Sequence, residues 1–280
     1  MVVTGVIGAG VMGTGVAQCL AQSKMEVILL DITEEELNAG MEKIKNNLRF
    51  QTLFNKGESE NPEQVCSRIK CTTDFTILKK ADFIIENVTE SWQIKKAVYE
   101  KINGICNENC IFLVNTSCIS ITKIASLLKN PEKVIGVHFM NPVPMKTTVE
   151  VIKGYYTSEE TVKHTMLLLK DIGKDGIIVN DFPGFVSNRI SHLFMNEAAY
   201  VVQDQVASPA DIDDIFKKCY GHKMGPLETA DLIGIDTVVN SLEVLYESFQ
   251  DSKFRCCPLL RKMVDAGLLG CKSGKGFYNY

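Results

Sequence analysis

The chain has 280 residues, 45% of them hydrophobic and 23% charged, with a formal net charge of −4. That apolar content suits folded cores rather than disorder, and the acidic balance excludes the clustered basic excess of a nucleic-acid surface. No apolar run approaches the length of a membrane span, and a glycine motif stands where a signal peptide needs a charged opening; a cytoplasmic protein with neither membrane nor nucleic-acid partner is expected.

Ten cysteines occur without a CxxC pair and without the spacings of a zinc site, so they read as reduced thiols and no metal is expected. The pairs Cys106/Cys110 and Cys256-Cys257 read as incidental thiols rather than redox switches, since nothing adjacent in sequence suggests an activated thiolate.

In chain order, Val2 to Ile7 is a β-branched apolar run that opens into Gly8-Ala9-Gly10-Val11-Met12-Gly13 and then a helical pattern through Val16, Cys19 and Leu20. Strand, glycine turn and helix form a dinucleotide fingerprint: Gly8 for the tight turn, Gly10 for close approach of a pyrophosphate, and Gly13 for helix-on-strand packing. The next apolar run, Val27 to Leu30, ends on Asp31. An acid there accepts bonds from the adenine-ribose hydroxyls and repels a 2′-phosphate, which favours NAD over NADP.

A long helix is expected from Glu34 to about Leu53, with Leu37, Met41, Ile44 and Leu48 inward and Lys45, Arg49 and Lys56 on one outer side, available to ligand phosphates or to an acidic partner. Asn55 to Glu63 reads as a turn and Pro62 opens a second helix through Val65 and Ile69, giving a helical-pair insertion suited to binding. The strand Phe83–Ile85, the helix Glu90 to Ile102 and the strand Ile111 to Val114 follow. In an open parallel sheet ligands meet the carboxyl ends of the strands, so Asp31, Glu86 and Asn115-Thr116-Ser117 are expected to face one crevice. Thr116 and Ser117 have an alternative use as a helix cap before Ile121, although Ser120 serves that purpose as well.

The segment from Val134 to Ile152 is symmetric about Pro144, and antiparallel pairing of its flanks sets His138 opposite Glu150. A carboxylate holding an imidazole selects one tautomer and stabilises the cation, as a proton-accepting base requires. His164, His192 and His222 lack such a setting. After a last helix, Glu159 to Ile172, and the strand Ile177–Val179, the pattern breaks at Pro183-Gly184, and helices begin near Ile190, Pro209, Pro226, Asp236 and Pro258. The expected organisation is α/β: a Rossmann-like NAD-binding domain with a helical-pair insertion over 1–182, then an all-α substrate and dimerisation domain over 183–280.

GAGVMG, ENVTES, NTS, HFMNPVP with VEVI, DFPGFVSNR, MGPLETADLIGID and KSGKGFY, spread along the chain, resemble the L-3-hydroxyacyl-CoA dehydrogenase family, including the 3-hydroxybutyryl-CoA dehydrogenases. The resemblance implies hydride transfer between C3 of a 3-hydroxyacyl thioester and NAD. It implies His138 as general base, Glu150 as its orienting partner, Ser117 and Asn188 as hydrogen-bonders to substrate, and Asp31, Glu90, Lys95, Ser117, Asn141 and Lys272 along the NAD site. Asn188 also has a reading as a helix N-cap.

Two departures bear on the carrier. Met145-Lys146-Thr147-Thr148 replaces a more apolar family stretch, and the family's CoA-contacting Ser and Lys fall on Asn47 and Phe54. With the stretch from Thr229 to Leu242, these features resemble the branch that serves polyketide and nonribosomal-peptide pathways, so the expectation leans toward a glyceryl- or seryl-acyl carrier protein over CoA. A dehydrogenase of free small hydroxy acids and a non-catalytic dinucleotide binder are the alternatives. Met140 and Met145 are expected to narrow the pocket to small acyl groups.

Overall fold

The computed structural model describes residues 2–54 and 60–280, apart from the side chains of 53 and 54. Two compact units divide it, Met1–Asp181 and Phe182–Tyr280.

In the first unit the elements run β1 (Val3–Ile7), α1 (Val11–Gln22), β2 (Glu26–Leu30), α2 (Glu34–Phe54), α3 (Pro62–Cys66), β3 (Ile69–Thr72), β4 (Phe83–Glu86), α4 (Trp92–Ile102), β5 (Ile111–Asn115), α5 (Ile121–Ala125), β6 (Val134–His138), β7 (Thr148–Lys153), α6 (Glu159–Asp171) and β8 (Asp175–Asn180). The eight strands form one sheet in the order β3-β2-β1-β4-β5-β6-β7-β8. β1 pairs in parallel with both β2 and β4, so the strand order reverses at β1 and leaves a crevice at its carboxyl end. Among the described strands of this sheet only the β6–β7 pairing is antiparallel, and its register sets His138 opposite Glu150, as the symmetry about Pro144 predicts. Both strands are buried along most of their length, so a slip of one residue would turn apolar side chains out of the core.

The core lies between sheet and helices: Val6, Val27, Leu29, Ile85, Leu113, Ile135 and Val151 meet Val16 and Leu20 of α1, Leu37, Ile44 and Leu48 of α2, and Leu168 and Leu169 of α6. The inward stripe of α2 is the one its spacing predicts.

The second helix of the insertion differs from expectation. α3 ends at Cys66, and Ile69 belongs to the edge strand β3, paired with Val27. Ser67 closes the helix and the Val27 N–H donates to the Arg68 carbonyl at 2.9 Å, which turns the chain back onto the sheet. Of the outer cations on α2, Lys45 lies 3.1 Å from Glu42 and Arg49 lies 3.9 Å from Glu63, so that side is partly neutralised. Lys56 falls outside the described residues.

The second unit contains α7 (Ser187–Gln203), α8 (Pro209–Tyr220), α9 (Pro226–Ile233), α10 (Ile235–Phe249) and α11 (Pro258–Asp265). Met195, Ala199, Val238, Leu242 and Leu260 build its main core. Ser208 caps α8 by accepting from the Asp211 N–H, and Gly221 ends that helix in the left-handed region at φ +73°. Asn188 is the second residue of α7, whose N-cap is Val186, so the N-cap reading of Asn188 does not hold. No described helix is long and apolar enough to cross a membrane.

The thiols hold one surprise. The proximity of the two thiols holds Cys106 below its ordinary range and, together with burial, pushes Cys110 up, while the Cys110 thiol donates to the Ile111 carbonyl at 3.8 Å. The sequence offers no sign of this, because the contact needs the turn after α4.

Candidate active site

At the carboxyl end of β1 the chain turns at Gly8, whose φ of +98° is open to glycine at no steric cost. A Cβ on Gly13 would stand 1.8 Å from the Gly8 carbonyl oxygen, so α1 can lie this close to the turn only with glycine there. A Cβ on Gly10 would meet nothing within 4 Å, which leaves open space beside the backbone where a phosphate needs it. Gly10 is also the N-cap of α1, with no side chain capping the first turn. Asp31 reaches this turn from β2: one oxygen accepts the Ala9 N–H at 2.5 Å and the other accepts the Ile32 N–H at 2.6 Å. A carboxylate has lone pairs beyond those two for ligand hydroxyls. The turn therefore fits a dinucleotide.

Three strands away, the β6–β7 ladder sets His138 Nδ1 2.8 Å from Glu150 Oε2, both residues buried. A carboxylate can only accept, so the proton sits on Nδ1 and Nε2 is left as the acceptor. Ser117 Oγ lies 3.2 Å from Nε2. Serine, imidazole and carboxylate thus form one line, in which the Glu150 carboxylate can stabilise a positive charge on the imidazole.

Ser117 is held in turn by Glu90. Glu90 stands outside α4, which starts at Trp92 rather than at Glu90, and its Oε1 accepts from the Thr116 hydroxyl at 2.5 Å, the Ser117 N–H at 2.8 Å and the Cys118 N–H at 3.1 Å. Burial pushes the Glu90 carboxyl up, but the Lys95 charge, the Thr116 hydroxyl and those two N–H groups together hold it below the usual range. The Cys118 thiol is pushed up to about 12 by burial and by the Glu90 charge, which makes it a poor nucleophile. Ser120, not Thr116 or Ser117, caps α5.

Lys95, which the resemblance places along the cofactor site, has no exposed surface. Its ammonium donates to both Glu86 oxygens at 2.8 and 2.9 Å and to the Asn115 carbonyl at 2.9 Å, and it lies 3.6 Å from Glu90. Glu86, expected to face the crevice, is equally covered; burial pushes its carboxyl above the usual range against the opposing Lys95 charge. These two residues lie beneath the site, and Lys95 touches Glu90 and the end of β5.

A cleft of about 450 Å³ is lined by residues that include Val11, Glu90, Asn115, Ser117, His138 and Asn141. Asn115 donates to Asn87 Oδ1 at 2.7 Å and accepts the Phe139 N–H, so Asn87 joins the predicted residues there. Met140 lines the same cleft; Met145 is 75% exposed and lies outside its lining, so the expected narrowing rests on Met140 alone. Asn188 and Lys272 belong to the second unit, where Lys272 Nζ lies 2.8 Å from Asp236 and from Thr237. Asn47 is exposed on α2, and the side chain of Phe54 lies outside the described residues. His164 and His222 are exposed, while His192 is buried with Nδ1 2.9 Å from the Asn188 carbonyl. Asn87 is a lining residue that the sequence reading missed, although it stands inside the quoted ENVTES motif, whereas Thr116 lies in the stretch expected to face the crevice.

Family models for the 3-hydroxyacyl-CoA dehydrogenase NAD-binding domain and C-terminal domain match residues 3–182 and 184–280. The chain belongs to the 3-hydroxyacyl-CoA dehydrogenase family. It is an NAD-dependent oxidoreductase acting on a CH–OH group, with NAD as its cofactor. Among its relatives, a protein from Deinococcus radiodurans named "Probable 3-hydroxybutyryl-CoA dehydrogenase" is 46% identical over 277 residues, covering 99% of both chains. The 3-hydroxybutyryl-CoA dehydrogenase of Clostridioides difficile is 42% identical over 275 residues, covering 98% of each. The crystal structure of the (S)-3-hydroxybutyryl-CoA dehydrogenase from Ralstonia eutropha superimposes with a TM-score of 0.96 at 40% identity, covering 99% of this chain and 98% of that one.

Proposed function

We propose that this 3-hydroxyacyl-CoA dehydrogenase interconverts a short 3-hydroxyacyl-CoA and its 3-oxo form, with His138 as general base and CoA as the carrier. The observation that carries the chemistry is the line Ser117–His138–Glu150 opening on the cleft beside the glycine turn. NAD, when bound, supplies the hydride acceptor. His138 Nε2 takes the hydroxyl proton, Glu150 holds the imidazole tautomer and stabilises the resulting cation, and Ser117 orients the hydroxyl. Asn188 takes the second contact to substrate in this reading. The homodimer is proposed through the helical unit, where Ile190, Val206 and Leu232 are 64%, 74% and 57% exposed.

On the carrier the balance moves from the acyl carrier protein to CoA. The relatives named above carry CoA in their names, and two of the outer cations of α2, Lys45 and Arg49, have carboxylates beside them. NADH oxidation with acetoacetyl-CoA, run beside NAD reduction with seryl- and glyceryl-loaded carrier protein, decides the matter. Turnover of the CoA ester at least about tenfold faster than of any carrier-bound substrate is expected; the reverse ratio removes CoA as the carrier. Turnover of free 3-hydroxy acids alone removes the thioester.

Asp31→Ala takes away the acceptor of two N–H groups and of the ribose hydroxyls. A hydrogen bond to a charged group contributes about 1.5–3 kcal/mol, so KM for NAD is expected to rise about tenfold or more while that for NADP changes little. Equal losses for both cofactors in steady-state assays would remove Asp31 from cofactor selection.

A further inference from the structure

Lys174, in the turn between α6 and β8, is 6% exposed, and its ammonium donates to the Val143 carbonyl at 2.7 Å and to the Lys146 carbonyl at 2.5 Å. Those carbonyls belong to the segment 139–147, which joins β6, ending at His138, to β7, carrying Glu150, and lines the cleft with Met140 and Asn141. We propose that Lys174 is a positioning residue for the reaction, a buried cation that clips this loop in place and so sets the cleft wall at Asn141. The inference rests on the assignment of hydride transfer to this cleft.

The loop is gripped from two sides. On one, Val143 is buried against α1, where a Cβ on Gly15 would come within 2.9 Å of the Val143 Cβ. On the other, Lys174 holds Val143 and Lys146, and the neighbouring Asp175 N–H donates to the Thr147 carbonyl at 2.7 Å. Charged donors make hydrogen bonds roughly twice as strong as neutral ones, so the ammonium adds to the loop's own bonds, in which the Met145 and Lys146 N–H groups donate to the Pro142 carbonyl at 3.0 and 3.2 Å. Lys174 itself is anchored, its N–H donating to the Leu169 carbonyl at 2.8 Å at the end of α6. The charge is felt nearby, opposing the upward push of burial on the Cys19 thiol of α1. The ladder, not the clip, holds the base to its carboxylate. Loss of the clip should therefore loosen Asn141 and leave His138 and Glu150 in register.

Lys174→Met keeps the stem and removes the ammonium. The expected result is a rise of about tenfold in both the calorimetric Kd and the KM for NAD, the loss of about one charged hydrogen bond, with kcat within about threefold of the parent. Lys174→Arg, which can donate to both carbonyls, is expected to restore most of the affinity. If the Met variant does not fold, Lys174→Gln, able to reach one carbonyl, is read in its place and should show a smaller rise, about threefold. A variant that melts earlier but binds NAD and turns over as the parent does shows a merely structural lysine and overturns the proposal. So does an Arg variant as weak as Met. Calorimetry needs no turnover, so a parent that binds NAD without oxidising 3-hydroxyacyl thioesters would sink the functional reading and leave the clip to be judged on Kd.

Discussion

Replacing His138 by Gln is expected to cut kcat by a factor of about 100 or more while leaving NAD affinity within about twofold of the parent. The carboxamide is close to the imidazole in size and keeps a polar contact to Glu150, yet it has no nitrogen basic enough to take the hydroxyl proton. The glycine turn and Asp31 are untouched, because they are built from β1, α1 and β2, whereas His138 stands on β6. Glu150→Gln should cost less than the loss of the base, since the imidazole remains but loses the acceptor that selects its tautomer at 2.8 Å. Residues that act as a unit are strongly non-additive, so adding Glu150→Gln to His138→Gln should change kcat by less than about threefold. Stopped-flow measurement of NADH formation, beside calorimetric NAD binding, separates these outcomes. A His138→Gln enzyme with kcat within tenfold of the parent would exclude His138 as the base, and a matching loss of NAD affinity would mark it as a binding residue.

The parts of the site that were legible in sequence are those where a local pattern dictates tertiary geometry. The glycine spacing implies the turn, because Gly8 must adopt a positive φ and Gly13 must clear a carbonyl oxygen. The pairing of His138 with Glu150 follows from counting outward from Pro144, since an antiparallel ladder joined by a short irregular loop leaves little freedom of register. The inward stripe of α2 follows from its 3.6-residue period. Where the reading failed, the deciding partner was remote or the local signal was thin. β3 is a four-residue edge strand with one buried apolar side chain, Ile69, whose spacing from Val65 also suits a helix. Lys95 precedes Lys96 on a helix rich in charge, so nothing local separates the one with no exposed surface from its exposed neighbour. The burial of Lys95 is explained by remote partners, Glu86 at the end of a strand nine positions earlier and the Asn115 carbonyl twenty positions later. Lys174 follows a helix-ending Gly173 and reads as an ordinary solvated turn residue until the Val143 and Lys146 carbonyls are brought to it.

Lys95→Met should be the most destabilising single change in the first unit's polar interior, because it leaves Glu86 buried without its cation. Breaking a buried pair from one side costs about 3–5 kcal/mol, and the same substitution also releases Glu90 from a charge 3.6 Å away and frees the Asn115 carbonyl. The pH dependence gives the loss a signature. Burial raises the Glu86 carboxyl in the folded protein even with Lys95 present, and without the ammonium the rise must be larger. A folded-state value above the unfolded one means that the native state binds a proton that the unfolded chain does not, so stability from this group is fully present below the unfolded carboxylate range and is lost as pH rises through the folded value. The variant's deficit should therefore shrink from pH 8 toward pH 5.5, where the carboxyl protonates in place. Adding Glu86→Gln should recover a good part of the loss at pH 8, since a neutral amide no longer carries an uncompensated charge. Urea unfolding of parent, single and double variants at both pH values measures all of this. A loss below about 1 kcal/mol at pH 8, or one that is the same at pH 5.5, would mean that Glu86 is not held as a buried charge and that Lys95 supports the Ser117 loop through Glu90 alone.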